Sequence, residues 1–529
     1  MIAGCGSATN DSAESTTSPT ATSASPPGAP ELPPPLVPAL PLPENAVENA
    51  VAKLDGIADE LMASSGIPGM AVAVVHGGKT IYAKGFGVKD NKAAAGDANK
   101  IDPDTVFQLA SLSKSLSATV VAHQVTVNAI GWDTPVVEKL PWFALSDPAV
   151  TPMVTVGDLF SHRSGLPDHA GDRLEDLGYD RRQVLEKLRQ LPLDPYRISY
   201  AYTNFGLTAA AEAVATSAGA TWEDLSQRVL YEPLGMTSTS SRFADYEARP
   251  NRTVGHISID GGYQPLYKRN ADAEGPAGGT SSSLNDMTRW LTMLLADGTY
   301  DGTAIISPEA LLPALTPQVV SSPPSEPAMR AGFYGYGFNV GTTSAARTQV
   351  SHSGAFELGA GTNFVVIPSA DVAIVALTNA TPSGIPETLT AEFADLVQFG
   401  EVRQDWRALY GQAFAEMDKP LGSLVGQTAP PNPKPAPPLT SLVGTYRNDY
   451  WGEAIVTEAG GTLGLAVGPR KEVWPLTHWD GNVFTFAFVT ENSPPGSVSK
   501  ATFDGNRLTL EYYDTDNEGN TNNMGTFTR

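Results

Sequence analysis

The stretch Phe107-Gln108-Leu109-Ala110-Ser111-Leu112-Ser113-Lys114-Ser115-Leu116-Ser117-Ala118-Thr119-Val120-Val121 decides how the rest of the chain is read. If Ser111 opens a helix, Lys114 stands one turn further on over the same face, within reach of the Ser111 hydroxyl. Nearly every side of the segment is apolar or small, and Leu112, Leu116 and Val120 recur at helical spacing, which predicts a buried helix. A lysine there is desolvated. Burial disfavours its ammonium form and lowers its pKa, as an amine requires before it can take a proton from serine near neutral pH. Ser111 is thus a candidate nucleophile and Lys114 its candidate base.

The tetrapeptide alone is weak, because Ser497-Val498-Ser499-Lys500 repeats it. That copy follows Pro494-Pro495-Gly496 and runs into Ala501-Thr502-Phe503-Asp504-Gly505, a short strand and a turn, so it reads as a hairpin edge. The surroundings must discriminate.

At 529 residues the chain has room for a large domain and a smaller one. Its single cysteine, Cys5, excludes an intrachain disulfide and the usual zinc sets with two or more cysteines. A formal charge of −23, from 34 basic and 57 acidic residues, argues against nucleic acid as a partner. Ile2-Ala3-Gly4-Cys5 resembles the lipobox of bacterial lipoproteins, with almost no signal ahead of it. The expectation is a start placed too late, a lipid on Cys5 as the sole membrane attachment, and an extracytoplasmic, cell-envelope or secreted location. Residues 1–45, rich in Ser, Thr, Ala and Pro, are expected to be a disordered tether.

A large domain is expected over 46–418. Val47, Val51, Leu54, Ile57 and Leu61 give a helical stripe, and Met70–Val75 and Thr80–Gly85 a hairpin about Gly77-Gly78. Val154–Phe160 starts as a helix and stops at Gly165 and Pro167; His162, just before that stop, reads as a loop-fixing residue rather than a base. Tyr202 and Asn204 fall in a loop before a helix from Leu207 to Ala218, and Leu284 to Leu295 is a further helix with Asp286 near its start. Tyr334–Val340, Gln349–Gly354, Gly361–Pro368 and Val372–Leu377 read as strands of one antiparallel sheet, closed by a helix from Ile385 to Phe399. Residues 419–438, Pro-rich, form a stiff linker. Residues 439–529 hold about eight short strand-like runs, a small β-barrel in which Phe484, Phe486 and Phe488 fill the core.

Ser111 with Lys114, Tyr202 with Asn204, and His352-Ser353-Gly354 arrive in an order that their copies at Tyr446-Arg447-Asn448, His76-Gly77-Gly78 and His169-Ala170-Gly171 do not share. Together with Ser161–Pro167 and Glu232-Pro233-Leu234-Gly235-Met236, they resemble the class C β-lactamase and DD-peptidase family of serine hydrolases over about 46–400. The resemblance implies an α+β fold, an antiparallel sheet flanked by helices plus a helical subdomain, with a groove between them. It implies Ser111 attacking a carbonyl, Lys114 as the amine base, Tyr202 shuttling the proton, and Asn204 orienting Lys114 and substrate. It further implies a third motif of His352, Ser353 and Gly354 on an edge strand, and an oxyanion hole from the N–H groups of Ser111 and Ala355. Neither cofactor nor metal enters this reading.

The third motif departs from Lys-Thr-Gly. The resemblance therefore points to a D-peptidase or esterase acting on a small molecule or peptide, with β-lactam hydrolysis or a non-catalytic penicillin- or peptide-binding lipoprotein as alternatives. Because histidine is not permanently charged, recognition of a substrate carboxylate through His352 is expected to be weaker or pH-dependent. The C-terminal segment resembles the lipocalin-like barrels appended to some of these hydrolases.

Overall fold

In the strand Gly69–His76, Ala71, Ala73 and Val75 face one way and Met70, Val72 and Val74 the other, and both sets are buried. A strand apolar on both faces needs cover on both, so the sheet lies between two layers of helices. The computed structural model describes residues 33–515 and 521–529. Its main sheet has eight antiparallel strands, in the order Lys79–Gly87, Gly69–His76, Val372–Thr378, Ala360–Ile367, Thr348–Phe356, Asn339–Thr342, Gly332–Tyr334, Val319–Ser322. Helices Ala46–Val51, Leu54–Ser65 and Ile385–Phe399 cover the Val72 face. Helices Leu112–Thr126 and Leu284–Leu295 cover the face of Ala71 and Ala73, whose small side chains admit close packing. Trp290, fully buried on the second of these, stacks on Phe338 at 6.3 Å and meets Phe364 edge-on at 5.1 Å. A helical subdomain, including Val156–Phe160, Arg181–Lys187 and Asn204–Ser217, packs against Leu112–Thr126.

The C-terminal strands Gly444–Asn448, Gly452–Ala459, Thr462–Val467, Val473–Asp480, Val483–Ala487, Val498–Asp504, Arg507–Leu510 and Thr526–Thr528 close in sequence order into an eight-stranded barrel, the last pairing with the first at Arg447↔Thr528. Phe484, Phe486 and Phe488 are buried in its interior, where Trp474 stacks on Phe486 at 5.6 Å. Lys500 lies on the barrel strand Val498–Asp504, so the second Ser-x-x-Lys runs into a hairpin strand as expected, although that strand is paired on both sides and is not an edge. Residues Pro38–Arg529 form one compact unit. The segment between sheet and barrel is pinned rather than free: Val498 N–H donates to Leu421 O (2.9 Å) and Gly481 N–H to Lys434 O (2.9 Å).

Cys5 and most of the expected tether lie outside the described residues; within them, Ala39 N–H donates to Ala345 O (2.9 Å). Several other expectations are corrected. The first helical stripe is two helices, broken at Ala52 and Lys53. Tyr334–Val340 is not one strand but a hairpin, with Phe333 paired to Val340. Gly337 makes the turn at φ +76°, in a position where a Cβ would lie 2.6 Å from Lys114 O. The Ala-rich helix starts at Asn204, so Asn204 is its first residue and not a loop residue. Helix Trp406–Met417 was not expected; no residue in it is buried, so burial patterning gave it no signal.

The Trp290 contacts yield a stability prediction. Trp290→Ala should cost about 3–5 kcal/mol through cavity formation, read as a lower midpoint in chemical denaturation with an unchanged slope; a loss near zero would contradict this packing.

Candidate active site

Ser111 sits on a sharp turn into the helix Leu112–Thr126. Ala110, before it, is held in the left-handed region at φ +48°, a conformation that a non-glycine residue adopts only under surrounding constraint. The constraint comes from both sides. Phe107–Gln108 pairs with Ser281–Ser282, Leu109 N–H donates to Thr280 O (2.9 Å), and Thr362 Oγ1 donates to Leu109 O (2.8 Å). The serines of the helix fasten its buried faces: Ser115 Oγ donates to Gly337 O (2.6 Å), Ser117 Oγ to Pro276 O (2.6 Å), and Ser113 Oγ accepts from Thr280 N–H (3.0 Å). Buried hydroxyls are tolerated because each has a partner.

Lys114 is fully buried. Its Nζ lies 2.9 Å from Ser111 Oγ, 2.6 Å from Asn204 Oδ1 and 3.0 Å from Ala277 O, and 4.6 Å from the Tyr202 ring centroid. Burial lowers its pKa to about 8, against the opposing pull of Glu274 and Asp172. Asn204 bridges onward, its Nδ2 donating to Asp172 Oδ2 (2.8 Å), which also meets His169 Nδ1 at 2.8 Å. Burial acts to lower the His169 pKa, but Asp172 and Asp168 outweigh it and raise the pKa overall.

Tyr202 is held through its backbone. Its N–H donates to Asp168 Oδ1 (2.8 Å) and its C=O accepts from His169 N–H (2.7 Å). Its phenol is within hydrogen-bonding reach of Ser111, and burial pushes its pKa well above the ordinary tyrosine value, so it stays protonated. His162 supports it from behind: Nδ1 accepts from Thr203 N–H (3.1 Å) and the ring lies 4.5 Å from that of Tyr202. Burial lowers the His162 pKa well below normal, in keeping with a loop-fixing residue rather than a base.

The strand Thr348–Phe356 is paired on both sides at Val350 and Ser351; beyond them, His352–Phe356 has one neighbour, Ala360–Phe364, and presents its other edge. It is therefore an edge strand only over this second half. Gly354 lies against the nucleophile turn, where a Cβ would collide with Thr362 Oγ1 and Leu109 O and lie 3.0 Å from Ser111 N. Ser353 Oγ accepts from Asn363 Nδ2 (2.9 Å). Ser111, Tyr202, Asn204, Ser353 and Ala355 line one cleft of about 520 Å³.

His352 does not line it. It is 3% exposed, with Nδ1 donating to Ser353 O (2.6 Å) and Nε2 accepting from Tyr334 Oη (2.7 Å). Burial, and then the nearby Lys114, push its pKa down to about 3, so it is neutral throughout pH 5–8. The expected pH-dependent recognition of a carboxylate through His352 is corrected accordingly.

Several members of the site escaped sequence reading. The Ala277 carbonyl has no side-chain signature, and His169 had looked like a decoy. The barrel also reaches the cleft: Glu491 and Asn492 line it, Glu491 Oε1 accepts from Glu357 N–H (3.0 Å), and Asn492 Nδ2 donates to Asp176 Oδ2 (2.9 Å). Among the described residues, no group of three or more His, Cys, Asp or Glu side chains is disposed to hold a metal ion.

Comparisons with known proteins agree with this geometry. A family model described as "Beta-lactamase" matches residues 54–398, and one described as "Domain of unknown function (DUF3471)" matches 428–526. The chain is 29% identical over 405 residues to "Unguisins hydrolase ungD'" of Aspergillus campestris, covering 73% of each. It is 28% identical over 408 residues to "Penicillin-binding protein 4" of Amycolatopsis lactamdurans, covering 74% of this chain and 96% of that one. The octameric penicillin-binding protein homologue from Pyrococcus abyssi superposes with a TM-score of 0.58 at 20% identity, over 87% of this chain and 98% of that one, a likeness of fold.

The close approach at Gly354 is testable. Gly354→Ala should displace the Ser111 turn and slow its labelling by a fluorophosphonate about a hundredfold, as misplacement of a reacting group by about 1 Å does; an unchanged labelling rate in folded protein would refute the contact.

Proposed function

The chain belongs to the β-lactamase family, and from that premise we propose that it is a serine hydrolase that cleaves an amide or ester through an acyl-enzyme on Ser111, of the D-peptidase or esterase kind. The observation that carries this reading is the coordination of the Lys114 amine. Two of its three neighbours, Asn204 Oδ1 and Ala277 O, are carbonyl oxygens that only accept hydrogen bonds. A neutral amine has two N–H groups and one lone pair. With both N–H groups given to the carbonyls, the lone pair is left for the Ser111 hydroxyl proton.

In the proposed reaction, Ser111 Oγ forms a bond to the substrate carbonyl carbon as its proton passes to Lys114 Nζ. The oxygen that gains charge sits between the N–H groups of Ser111 and Ala355. Collapse breaks the bond to the leaving amine or alkoxide, which takes a proton through the Tyr202 hydroxyl. Since Tyr202 is held as a phenol, its part is to relay a proton, while Lys114, with a pKa of about 8, is the base. Water then attacks the acyl-enzyme by the reverse path, giving the acid and free Ser111. Asn204, fixed by Asp172, is a positioning residue for Lys114.

A pH profile tests the assignment of the base. The deprotonated amine is the active form, so kcat/KM should rise about tenfold per pH unit from pH 6 and level off above about pH 8. Ser111→Ala should abolish fluorophosphonate labelling. A flat profile between pH 6 and 8 would overturn Lys114 as base, and labelling that survives in Ser111→Ala would overturn the nucleophile.

A further inference from the structure

The proposed reaction gives Ser353 no part, although its side chain lines the cleft. Its place relative to the scissile bond follows from the strand that carries it. In that reaction the oxyanion meets the N–H of Ala355, two residues further on, and Tyr202 delivers the leaving-group proton. The Tyr202 ring lies 6.4 Å from that of His352, the residue before Ser353. The leaving group is therefore at the Ser353 end.

The hydrogen bonds of Ser353 can be counted. Asn363 Nδ2 donates to His352 O (3.2 Å), a carbonyl that only accepts, so this atom is the amide nitrogen, and Ser353 Oγ, 2.9 Å from it, must accept. One proton and one lone pair of the hydroxyl remain. On the first turn of the helix Ile385–Phe399, Glu387 is 4% exposed, has Oε2 without a hydrogen-bond partner, and holds its carboxyl within hydrogen-bonding reach of Ser353. An ionised Glu387 can only accept. It takes the Ser353 proton, and the lone pair is left for the cleft. A protonated Glu387 can donate to that lone pair, and the Ser353 proton is turned to the cleft instead. Burial raises the Glu387 pKa to about 7, against the pull of its own N–H and of Ser353.

Other charges around this helix are engaged or turned away. The strands Ala360–Ile367 and Val372–Thr378 carry no titratable side chain, and on Thr348–Phe356 the neutral His352 faces the opposite side from Ser353. On the helix itself Glu392 pairs with Arg407, which also pairs with Glu60, and Asp395 accepts from Trp406 Nε1 (2.8 Å). Glu48, Asp55 and Asp59 are exposed on the two N-terminal helices, and Glu416 pairs with Lys419. Tyr410 faces Glu387; burial and then that carboxyl raise its pKa, so it stays a neutral phenol.

We propose that Glu387 is a positioning residue that holds the Ser353 hydroxyl as an acceptor toward the cleft, so that the leaving group is recognised through an N–H and peptides continuing as an amide are chosen over those ending in a carboxylate. The proposal rests on the acyl-enzyme reading for the side on which the leaving group lies.

Binding to the Ser111→Ala protein tests it without catalysis. Calorimetry at pH 6 and pH 8 would compare N-acetyl-alanyl-alanine amide with N-acetyl-alanyl-alanine, whose carboxylate is ionised at both, each in both hands. As Glu387 ionises, the ratio of amide to acid affinity should rise about tenfold, since the amide gains a hydrogen bond that the acid loses. Adding Glu387→Gln should shrink that rise to within about twofold, although Lys114, Glu357 and Asp418, with pKa values of about 8, about 7 and about 6, still titrate. If that variant melts early, Ser353→Ala, which removes the hydroxyl and keeps the carboxyl, carries the same comparison. A ratio that does not rise with pH, a rise that these variants leave intact, tighter binding of the acid at pH 8, or no binding of the amide overturns the proposal. Fluorophosphonate labelling of the unmutated chain reports on the hydrolase reading separately.

Discussion

A buried amine is the constraint on which the site depends. Lys114 has no contact with solvent, so each of its polar directions must end on a protein atom. The atoms come from three places far apart in sequence: Ser111 one turn back, Asn204 at the start of the next long helix, and Ala277 on the short helix Gly275–Gly278. An unmet partner here would cost about 1–3 kcal/mol or more, so the helix starts and the nucleophile turn are fixed relative to one another. Glycines let the backbones approach closely enough. Gly354 passes against the Ser111 turn and Gly337 against Lys114 O, both at distances that a Cβ would forbid.

Much of this was legible in the sequence, for identifiable reasons. Ser111 and Lys114 are local, and helical spacing alone puts them on one face. The sheet was legible because Met70–Val75, Phe364–Ile367 and Val372–Leu377 are apolar on both faces, with too few residues for helices. What failed was of three kinds. Turn geometry imposed by a neighbour was missed, as at Gly337, where the helix carrying Lys114 bends an apparent strand into a hairpin. Backbone groups were missed, because Ala277 contributes an oxygen that every residue possesses. Long-range charge was missed, because nothing near Glu491 says that it will lie beside Arg269.

His352 shows how a motif position and its chemistry come apart. In the sequence it stands where a cation is expected, and its side chain invites a pH-dependent role. The fold buries it, gives its Nδ1 proton to Ser353 O, and makes its Nε2 accept from Tyr334, which fixes one neutral tautomer. Protonation would take away the acceptor that Tyr334 needs and place a charge beside Lys114. The residue therefore shapes the strand from behind, and the charge character of the cleft is decided elsewhere.

It is decided by the carboxyl groups of Asp172 and Glu274, which line the same cleft and bear on the base itself. Two influences compete at Lys114: burial lowers its pKa, while the charges of Glu274 and Asp172 raise it, and the balance falls at about 8. The barrel joins that network: Glu491 meets the Glu357 N–H at the cleft and lies 3.5 Å from Arg269, whose guanidinium also holds Glu274. Barrel and cleft are accordingly packed into one compact unit, rather than held apart on the stiff linker that the Pro-rich connection suggests.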